Sequence, residues 1–480
     1  MGLQLTAVAL SQSDGGHCAL AFSRSGKVHV HQRRVELGRS TESAQPSAPT
    51  AAVMSLSPGH HGRETRACAW AVPACQSSDP APADVAALLT GSEDGIIRAA
   101  YIDVAATVPT DAVRGTVAMG QTLGRAAVRA MCVVPHPGGQ GSILVAAGAR
   151  LVLMAWHLTW HEGDTRLRWQ LLAQRALPST PHCTRGSAAA EEADTRYLCV
   201  TAWLPDAAHV HVACGSSDAQ LCVWSLPCAL AHEAPQQQSA WHLVATTQCT
   251  QLQLSAAHMH ARGTVMIIAS GGSDGTVTVW ACPCEPPAQQ APATLRGVMA
   301  LRHVHQSGVN ALRAGDWCVD GRREALLVSG GDDGALCAIA IAHAPATGLL
   351  RITGADRRAG AHASSIKSVA MHAQGAAVTV SMDQRVRCWR ISPTSPGAKP
   401  RLPAPDEPWL RLPTEQAPDA GDMRSFWRPG GFGLLLSQRA GRITEACDAE
   451  SVACCAGRAG ALIVAVTGSG THIMRCPDDV

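Results

Sequence analysis

The sequence predicts an all-β protein built from a repeated antiparallel hairpin. In the clearest copy, apolar residues Ile267 to Ala269 lead into the Gly-rich turn Gly271–Gly275, and a Val-Thr alternation then ends at Trp280. An apolar run, a tight turn and a period of two are typical of two short strands joined by a turn. Asp274 suits the turn centre because an Asp side chain can accept hydrogen bonds from nearby backbone N–H groups.

The same hairpin recurs along the chain with a fixed internal spacing. In five copies an Asp lies six positions before the residue that closes the second strand: Asp94 and Ala100, Asp218 and Trp224, Asp274 and Trp280, Asp333 and Ile339, Asp383 and Trp389. Two weaker copies carry Arg150 before Trp156 and Gly470 before Cys476. A fixed spacing repeated along a chain indicates a repeat architecture.

These hairpins resemble the repeats of a WD-repeat β-propeller. The resemblance implies an all-β ring, most simply seven blades of four antiparallel strands, over residues 64–480. Successive turns lie 50 to 87 residues apart, more than the roughly 40–45 residues of a minimal repeat. The excess lies in Pro-, Ala- and Gln-rich loops. Another all-β repeat or a sandwich is the alternative.

Taken in order, the repeats predict where each blade lies. Their approximate limits are 65–101, 126–156, 197–224, 244–280, 305–341, 362–389 and 451–476. An insert at 392–418 contains eight prolines, and a proline-rich segment cannot supply a central strand. We expect a surface loop or extended arm there.

Residues 1–63 are predicted to hold a partial blade, a polar loop and a candidate ring-closing strand. Strands are expected at Leu5–Leu10, His17–Phe22 and Lys27–Gln32. The last repeat ends after its third strand, so a fourth strand must come from elsewhere to remove the open edge. Ala51–Leu56 or one of the earlier strands could supply it.

Composition points to a cytoplasmic protein without a membrane span. The net charge is +2, so the total charge does not indicate a polyanion as partner. The 19 cysteines contain no C-x-x-C pair, and many lie in apolar runs, where free Cys packs like a small hydrophobe. No apolar run approaches the roughly 18 residues of a membrane span, and no signal peptide is evident.

Two sets of residues invite a hydrolase interpretation. His305, Ser329 and Asp333 form one set, and His362, Ser381, Asp383 and Trp389 form the other. Because the set repeats and each Asp belongs to a turn, we predict a hydrogen-bonded network inside the blade instead of a catalytic triad. The network around Asp333 should be incomplete, since Ile339 replaces the Trp.

A G-x-S-x-G match at 271–275 is followed by a strand pattern, whereas a nucleophile elbow needs a helix there. We therefore predict no catalytic residue at Ser273.

The sequence also predicts no metal site and no cofactor of the chain's own. Four H-x-H pairs occur, at 29/31, 209/211, 258/260 and 303/305, but none has a third ligand at a recognisable spacing. Arg385 and Arg387 are candidate phosphate contacts, and Trp409 is a candidate partner anchor. The alternatives are a solvated strand face for the arginines and packing in an outer strand for Trp409.

Three stretches allow a closer comparison. They are 305–312 together with 328–336, then Ser381–Val386 ending at Trp389, and finally 448–454. Together they resemble the C-terminal propeller of the family of WD repeat-containing protein six, over about residues 300–476. Members of that family are much longer, with further propeller sequence ahead of this part.

The resemblance implies a non-catalytic subunit. It would bind an FtsJ-type tRNA methyltransferase and support ribose 2′-O-methylation of the wobble nucleotide. S-adenosylmethionine would belong to that partner, tRNA would be contacted mainly through the complex, and no small-molecule substrate is implied. The alternatives are a WD-repeat scaffold of another complex, such as a ubiquitin ligase or a ribosome-assembly particle, and an independent hydrolase.

Overall fold

The computed structural model shows strands as the regular elements of the chain. It describes residues 12–13, 17–24, 27–34, 53–56, 63–71, 85–103, 113–122, 126–139, 141–160, 167–175, 195–228, 241–259, 265–283, 292–319, 322–344, 349–372, 375–393, 434–444, 447–456 and 462–476. Within these ranges there is no helix, which confirms the predicted all-β class. Accordingly, no described helix is long and apolar enough to cross a membrane.

Seven antiparallel sheets follow one another along the chain, and we number them as blades one to seven. Blade one contains β5 (Thr65–Ala71), β6 (Val85–Ser92), β7 (Ile96–Asp103) and β8 (Val113–Thr122). Blade two contains β9 (Val128–Pro135), β10 (Ser142–Gly148), β11 (Leu153–Trp160) and β12 (Leu167–Arg175). Blade three contains β13 (Tyr197–Trp203), β14 (His209–Ser216), β15 (Gln220–Pro227), β16 (His242–Gln248) and, as a fifth strand, β20 (Ala293–Thr294).

The later blades repeat this order. Blade four contains β17 (Gln253–Met259), β18 (Val265–Gly272), β19 (Val277–Pro283) and β21 (Arg296–Leu301). Blade five contains β22 (Ala311–Val319), β23 (Arg322–Gly330), β24 (Leu336–Ala344) and β25 (Leu349–Arg358). Blade six contains β26 (Ile366–His372), β27 (Ala376–Ser381), β28 (Arg385–Pro393) and β29 (Leu434–Ile443), and blade seven contains β30 (Cys447–Ala456), β31 (Leu462–Cys476) and β4 (Val53–Leu56).

The blades form a closed ring, held by the burial of apolar side chains between neighbours. The first strand of each blade contacts the first strand of the next, and β30 of blade seven contacts β5 of blade one. The described residues form seven buried clusters, each shared by two adjacent blades. The cluster that joins blades seven and one packs Ile463 and Ala465 against Trp70 and Leu88. The burial of these apolar faces provides the main free-energy gain for closing the ring. The arrangement confirms the predicted seven-bladed propeller.

Blade seven takes its outer strand from the N-terminal side of the chain. The first half of β31 pairs with β30, from Ala456 opposite Leu462 to Ser451 opposite Thr467. Its second half pairs with β4, from Val53 opposite Met474 to Leu56 opposite Thr471. The pairing covers an edge of β31 that would otherwise be open to other chains.

Blades three and four differ from the predicted limits. Val244, expected in the fourth repeat, lies in β16, the outer strand of blade three. The loop expected after Trp280 contributes β20, which pairs in parallel with β16, Ala293 opposite Ala245. A strand of two residues leaves no periodic pattern in a Pro- and Ala-rich stretch, and the sequence therefore gave no signal for it.

The N-terminal strands β1 (Gln12–Ser13), β2 (His17–Arg24) and β3 (Lys27–Arg34) form a separate antiparallel sheet. The strand expected at Leu5–Leu10 lies outside the described residues, as does the proline-rich insert beyond Pro393, including Trp409. The last two residues of β28, Ser392 and Pro393, pair with Leu435 and Leu434. The strand therefore runs two residues into the segment expected to be a loop.

Candidate functional site: the turn face and the central channel

The hairpin turns of blades one to six lie on one face of the ring, which we call the turn face. In blade one, the start of the inner strand at Thr65 pairs with Ser92, directly before the turn that holds Asp94. The turn face therefore also carries the first residues of the inner strands, and the two features share one surface.

Four of the five predicted turn aspartates accept a hydrogen bond from the backbone N–H two residues further on. The bonds run from Ile96 to Asp94 at 2.8 Å, Thr276 to Asp274 at 3.0 Å, Ala335 to Asp333 at 3.0 Å, and Arg385 to Asp383 at 2.9 Å. Asp218 instead accepts a hydrogen bond from the hydroxyl of Ser216. The next residue has a positive φ in all five turns: Gly95, Ala219, Gly275, Gly334 and Gln384.

Blade six contains a complete hydrogen-bonded network. His362 Nδ1 lies 3.1 Å from both carboxylate oxygens of Asp383, and His362 Nε2 lies 2.7 Å from Thr379 Oγ1. Trp389 Nε1 donates to the same hydroxyl at 2.9 Å. The sequence prediction of Ser381 in this position is wrong: its hydroxyl instead donates to the carbonyl of Ser364 at 3.0 Å.

The protonation of this network follows from its surroundings. Burial lowers the pKa of His362, even though Asp383 acts in the opposite direction. Burial alone would raise the pKa of Asp383, but backbone N–H groups and His362 hold it below its usual value. A neutral ring must donate from Nδ1 to the carboxylate, so Nε2 accepts from Thr379, which in turn accepts from Trp389.

Blade five contains a shorter version of the network, as predicted from Ile339. His305 lies 3.0 Å from Asp333 Oδ1 and 2.9 Å from Ser329 Oγ. Arg357 adds a bond of 2.9 Å to the other carboxylate oxygen of Asp333. Burial alone would raise the pKa of Asp333, but His305 and two backbone N–H groups outweigh it and hold the pKa far below its usual value.

The other tryptophans of the repeat are arranged differently. Trp280 donates to Ser270 Oγ at 2.7 Å, four residues before Asp274, as Thr379 lies four before Asp383. Trp224 lies under the guanidinium of Arg175, 4.1 Å from the ring centre. Cys214 takes the place of the hydroxyl in that blade, so the network cannot form there.

These sets cannot act as hydrolase triads in this geometry. The side chains of His305 and His362 are fully buried, and those of Asp333 and Asp383 are 5% and 7% exposed. A substrate therefore has no access to them. Ser273 of the G-x-S-x-G match lies in a turn between β18 and β19 and donates to Gln251 Oε1 at 3.2 Å. A nucleophile elbow instead places its Ser between a strand and a helix.

Three stretches on adjacent blades form one continuous part of the turn face. Asn310 Nδ2 donates to Asp332 Oδ1 at 2.7 Å and to Ser365 Oγ at 3.0 Å, which links the turn of blade five to the loop before blade six. Thr444, directly after β29, donates its backbone N–H to the carbonyl of Gln384 at 2.8 Å, and its hydroxyl lies 3.1 Å from Nδ1 of His472 in blade seven, which links blade six to blade seven. We call this region, residues 305–312, 331–334, 362–366, 381–385 and 444, the turn surface of blades five to seven.

Exposed groups suited to contacts lie at the same end of blade six. The side chain of Met382, at the tip of the turn, is 50% exposed. Arg385 is exposed at the start of β28, and half-buried Arg387 donates to Gln438 Oε1 of β29 at 2.9 Å. Both predicted arginines therefore lie on the strand that begins directly after this turn.

A second feature, the central channel, was not found from the sequence. In five inner strands the pairing register skips one residue, which is the mark of a β-bulge, and a bulge redirects a side chain. The skipped residues are Arg66, Arg129, Leu198, Leu254 and Lys367. Asn310 and Glu450 hold the corresponding places in blades five and seven. All seven are half-buried and line a cavity of about 300 Å³ at the turn face.

Several histidines of the H-x-H pairs that the structure describes have other contacts. No group of three His, Cys, Asp or Glu side chains that could hold a metal ion occurs in the described part of the chain. His209 pairs with Asp206 at 3.2 Å, whereas His211 is buried with its ring edge-on to Trp203. His305 belongs to the network of blade five.

Comparison with known proteins adds a fold likeness only. No protein-family model matches the chain, and no curated protein matches it. Among solved structures, the chain is similar to the crystal structure of the WD40 β-propeller domain of Doa1, with 14% sequence identity, a TM-score of 0.46, and coverage of 87% of this chain and 94% of that chain.

Proposed function

We propose that this chain is a non-catalytic scaffold that binds an FtsJ-type tRNA methyltransferase and supports 2′-O-methylation of the wobble nucleotide. A seven-bladed propeller of this kind is typical of protein-interaction scaffolds. The proposal of a methyltransferase as the partner rests on where the resembling stretches lie in the ring. The stretches that resemble the family of WD repeat-containing protein six lie on three consecutive blades, at 305–336, 381–389 and 448–454.

These stretches are connected through the loop before blade six and through a shared buried cluster. His362 N donates to the carbonyl of Gly334 at 2.9 Å, and Ser365 Oγ donates to Asp332 Oδ1 at 2.6 Å. Ala449 and Val452 of blade seven pack into one buried cluster with Val380 and Val386 of blade six. A rigid surface of this kind can dock a partner at little cost in conformational entropy.

The test is a pull-down of the cognate FtsJ-type enzyme, followed by a wobble 2′-O-methylation assay with and without this chain. We expect the enzyme to be retained and methylation to rise. The chain alone should transfer no methyl group. Failure to bind the enzyme, together with unchanged methylation, would refute this function and leave a scaffold for another complex.

A matched pair of variants locates the docking surface. Met382→Asp places a charge on the turn surface of blades five to seven, and we expect it to weaken retention of the enzyme by at least about tenfold. Val298→Asp is the control, because Val298 is 44% exposed on the outer strand of blade four. Equal effects of the two variants would place the docking surface elsewhere.

In this proposal, tRNA is bound mainly by the complex of this chain with the enzyme. Arg385→Ala combined with Arg387→Ala should leave enzyme binding intact, weaken retention of tRNA by the complex, and flatten its salt dependence. Arg439→Ala is the control, an exposed arginine on β29. The proposed location is the cytoplasm, supported by the free thiols of the described cysteines.

A further inference from the structure

The mouth of the central channel concentrates positive charge. Its lining contains five cations and a single carboxylate. The cations are Arg66, Arg129, Arg196, Arg313 and Lys367, and the carboxylate is that of Glu450. The whole chain has a net charge of only +2. The concentration is therefore local, and it arises from residues of blades one, two, three, five and six.

One of these cations is fully engaged in closing the ring. The guanidinium of Arg66 lies 2.7 Å from Glu64, 2.8 Å from Glu93 and 2.6 Å from Glu450. Glu450 belongs to blade seven, so these pairs bridge the first and last blades. Arg66 is therefore fully paired, whereas Glu93 also lies near Arg129 and Glu450 also feels the charge of Lys367. Three carboxylates stand against five cations, so the region keeps a positive charge.

The remaining cations lack a comparable partner. Arg196, Arg313 and Lys367 form no ion pair with any described residue, whereas Arg129 lies 3.5 Å from Glu93, which Arg66 holds more closely. Arg129 Nε is buried without a hydrogen-bond partner. Burial and the nearby charges of Arg66 and Arg196 lower the pKa of Arg129, which shows how crowded the cations are.

The deeper wall of the channel supplies no compensating charge. Cys68 and Cys199 line it in blades one and three. Burial raises the pKa of Cys68 and raises that of Cys199 to about 12, in both cases against the opposing effect of Arg313. These thiols are therefore neutral at physiological pH, and Arg313 has no thiolate to neutralise it.

We propose that the channel mouth binds a compact polyanion of the polyphosphate class. Like charges confined in a narrow cleft attract an anion strongly because the cleft walls focus their field. Guanidinium groups present a planar fork of donors that matches phosphate oxygens, and three of the four cations without a full partner are arginines. A cavity of about 300 Å³ ringed by the inner strands suits a compact molecule, whereas a nucleic acid strand needs an extended groove.

The proposal is tested by titration calorimetry of the full chain with inorganic tripolyphosphate. We expect binding to the wild type and, for Arg196→Ala, Arg313→Ala and Lys367→Ala, a loss of affinity of about tenfold or more each. Arg168→Ala and Arg439→Ala are controls, because both remove an exposed arginine from an outer strand. Arg313→Lys keeps the charge but loses the fork, so its affinity should lie between those of the wild type and the alanine variant.

Three outcomes overturn the proposal. The wild type could fail to bind tripolyphosphate, or the controls could weaken binding as much as the channel variants. A single-stranded RNA oligonucleotide could bind more tightly and be lost through the same variants, which would assign the cations to nucleic acid.

Melting temperatures without ligand separate binding from a structural role. Removing one of several crowded like charges should leave the melting temperature of the free protein unchanged or raise it. A fall in the melting temperature of Arg313→Ala, with no change in tripolyphosphate affinity, would show that the cation is structural and would also overturn the proposal.

Discussion

At the scale of single residues, burial decides the role of the His, Asp and hydroxyl sets. In blade six the path from Trp389 through Thr379 and His362 to Asp383 gives each buried polar group a partner. Buried polar groups without partners are costly, so the network stabilises the blade by avoiding that cost. The same residue types act as catalysts elsewhere only where a substrate can reach them.

Removal of the central hydroxyl should destabilise the protein. Thr379→Val keeps the shape of the side chain but leaves Trp389 Nε1 and His362 Nε2 without a partner, so we expect a loss of about 1–3 kcal/mol in the free energy of unfolding. Urea unfolding provides the measurement. Thr276→Val is the control, since its hydroxyl lies in an exposed turn and its loss should cost less than about 0.5 kcal/mol. Equal losses would contradict the network.

Stability should fall in mild acid because of His211. Burial, with a smaller effect of His209, lowers the pKa of His211 to about 4. The unfolded chain therefore takes up a proton first, so the stabilisation from the neutral ring is present above about pH 6.5 and is lost as the pH falls toward about 4. The loss should reach about 3 kcal/mol.

The measurement is urea unfolding of the wild type and of His211→Phe between pH 7 and pH 4. We expect the variant to have a shallower pH dependence. His242→Phe, at an exposed position on β16, should keep the pH dependence of the wild type. An unchanged slope in His211→Phe would show that other groups cause the acid sensitivity.

At the scale of the element, the hairpin turns of blades four and five are fitted closely to the loop before the next blade. Gly275 and Gly334 have φ angles of 82° and 68°. A Cβ atom on Gly334 would lie 2.6 Å from the carbonyl oxygen of His362, and one on Gly275 would lie 2.1 Å from that of His305. Glycine is therefore required at these two turns both for the backbone conformation and for the close approach.

Two glycine variants separate these two requirements. Gly360 has a φ of 69°, but nothing lies within 4 Å of its added Cβ. Gly360→Ala should therefore cost only the conformational penalty of about 1–2 kcal/mol, whereas Gly334→Ala should cost clearly more because the backbone of the next loop must move. Denaturant unfolding of both variants tests this. Equal costs would mean that the neighbouring loop adapts freely.

At the scale of the whole molecule, the ring depends on contacts between the two ends of its sequence. Arg66 and Glu450 are 384 positions apart and lie 2.6 Å from each other. The pairing of β4 with β31 adds a ladder of backbone hydrogen bonds to this closure. A closed ring leaves no gap between blades seven and one, which is why every apolar blade face has a neighbour.

Proline substitutions test the closing strand through its backbone. Successive N–H groups of a strand point alternately toward and away from the partner. The double variant Val53→Pro with Ser55→Pro therefore removes the N–H groups on one side of β4, and Met54→Pro with Leu56→Pro removes those on the other side. We expect one pair to lower the melting temperature by several degrees and the other to change it little. Each pair serves as the control for the other. No change in either pair would show that β4 does not support the ring.

The sequence by itself determined the class of the fold and the repeating unit. The Asp turns, the period-two alternation and the closing Trp are local signals, because a hairpin is specified by residues close together in the chain. Repetition of such a unit also gave the number of blades. It further gave the shortened network around Asp333, since Ile339 occupies the position of the Trp.

The tertiary structure alone decided how distant residues meet. Thr379 lies four residues before Asp383, as Ser329 lies four before Asp333, but the packing of His362 and Trp389 is what brings the Thr379 hydroxyl to both rings. The strand β20 became visible only through its partner β16. The channel mouth draws one residue from each of seven blades, and the spacing of those residues along the chain follows loop lengths instead of a fixed period. Local patterns cannot encode such a site, because the closure of the ring brings its members together.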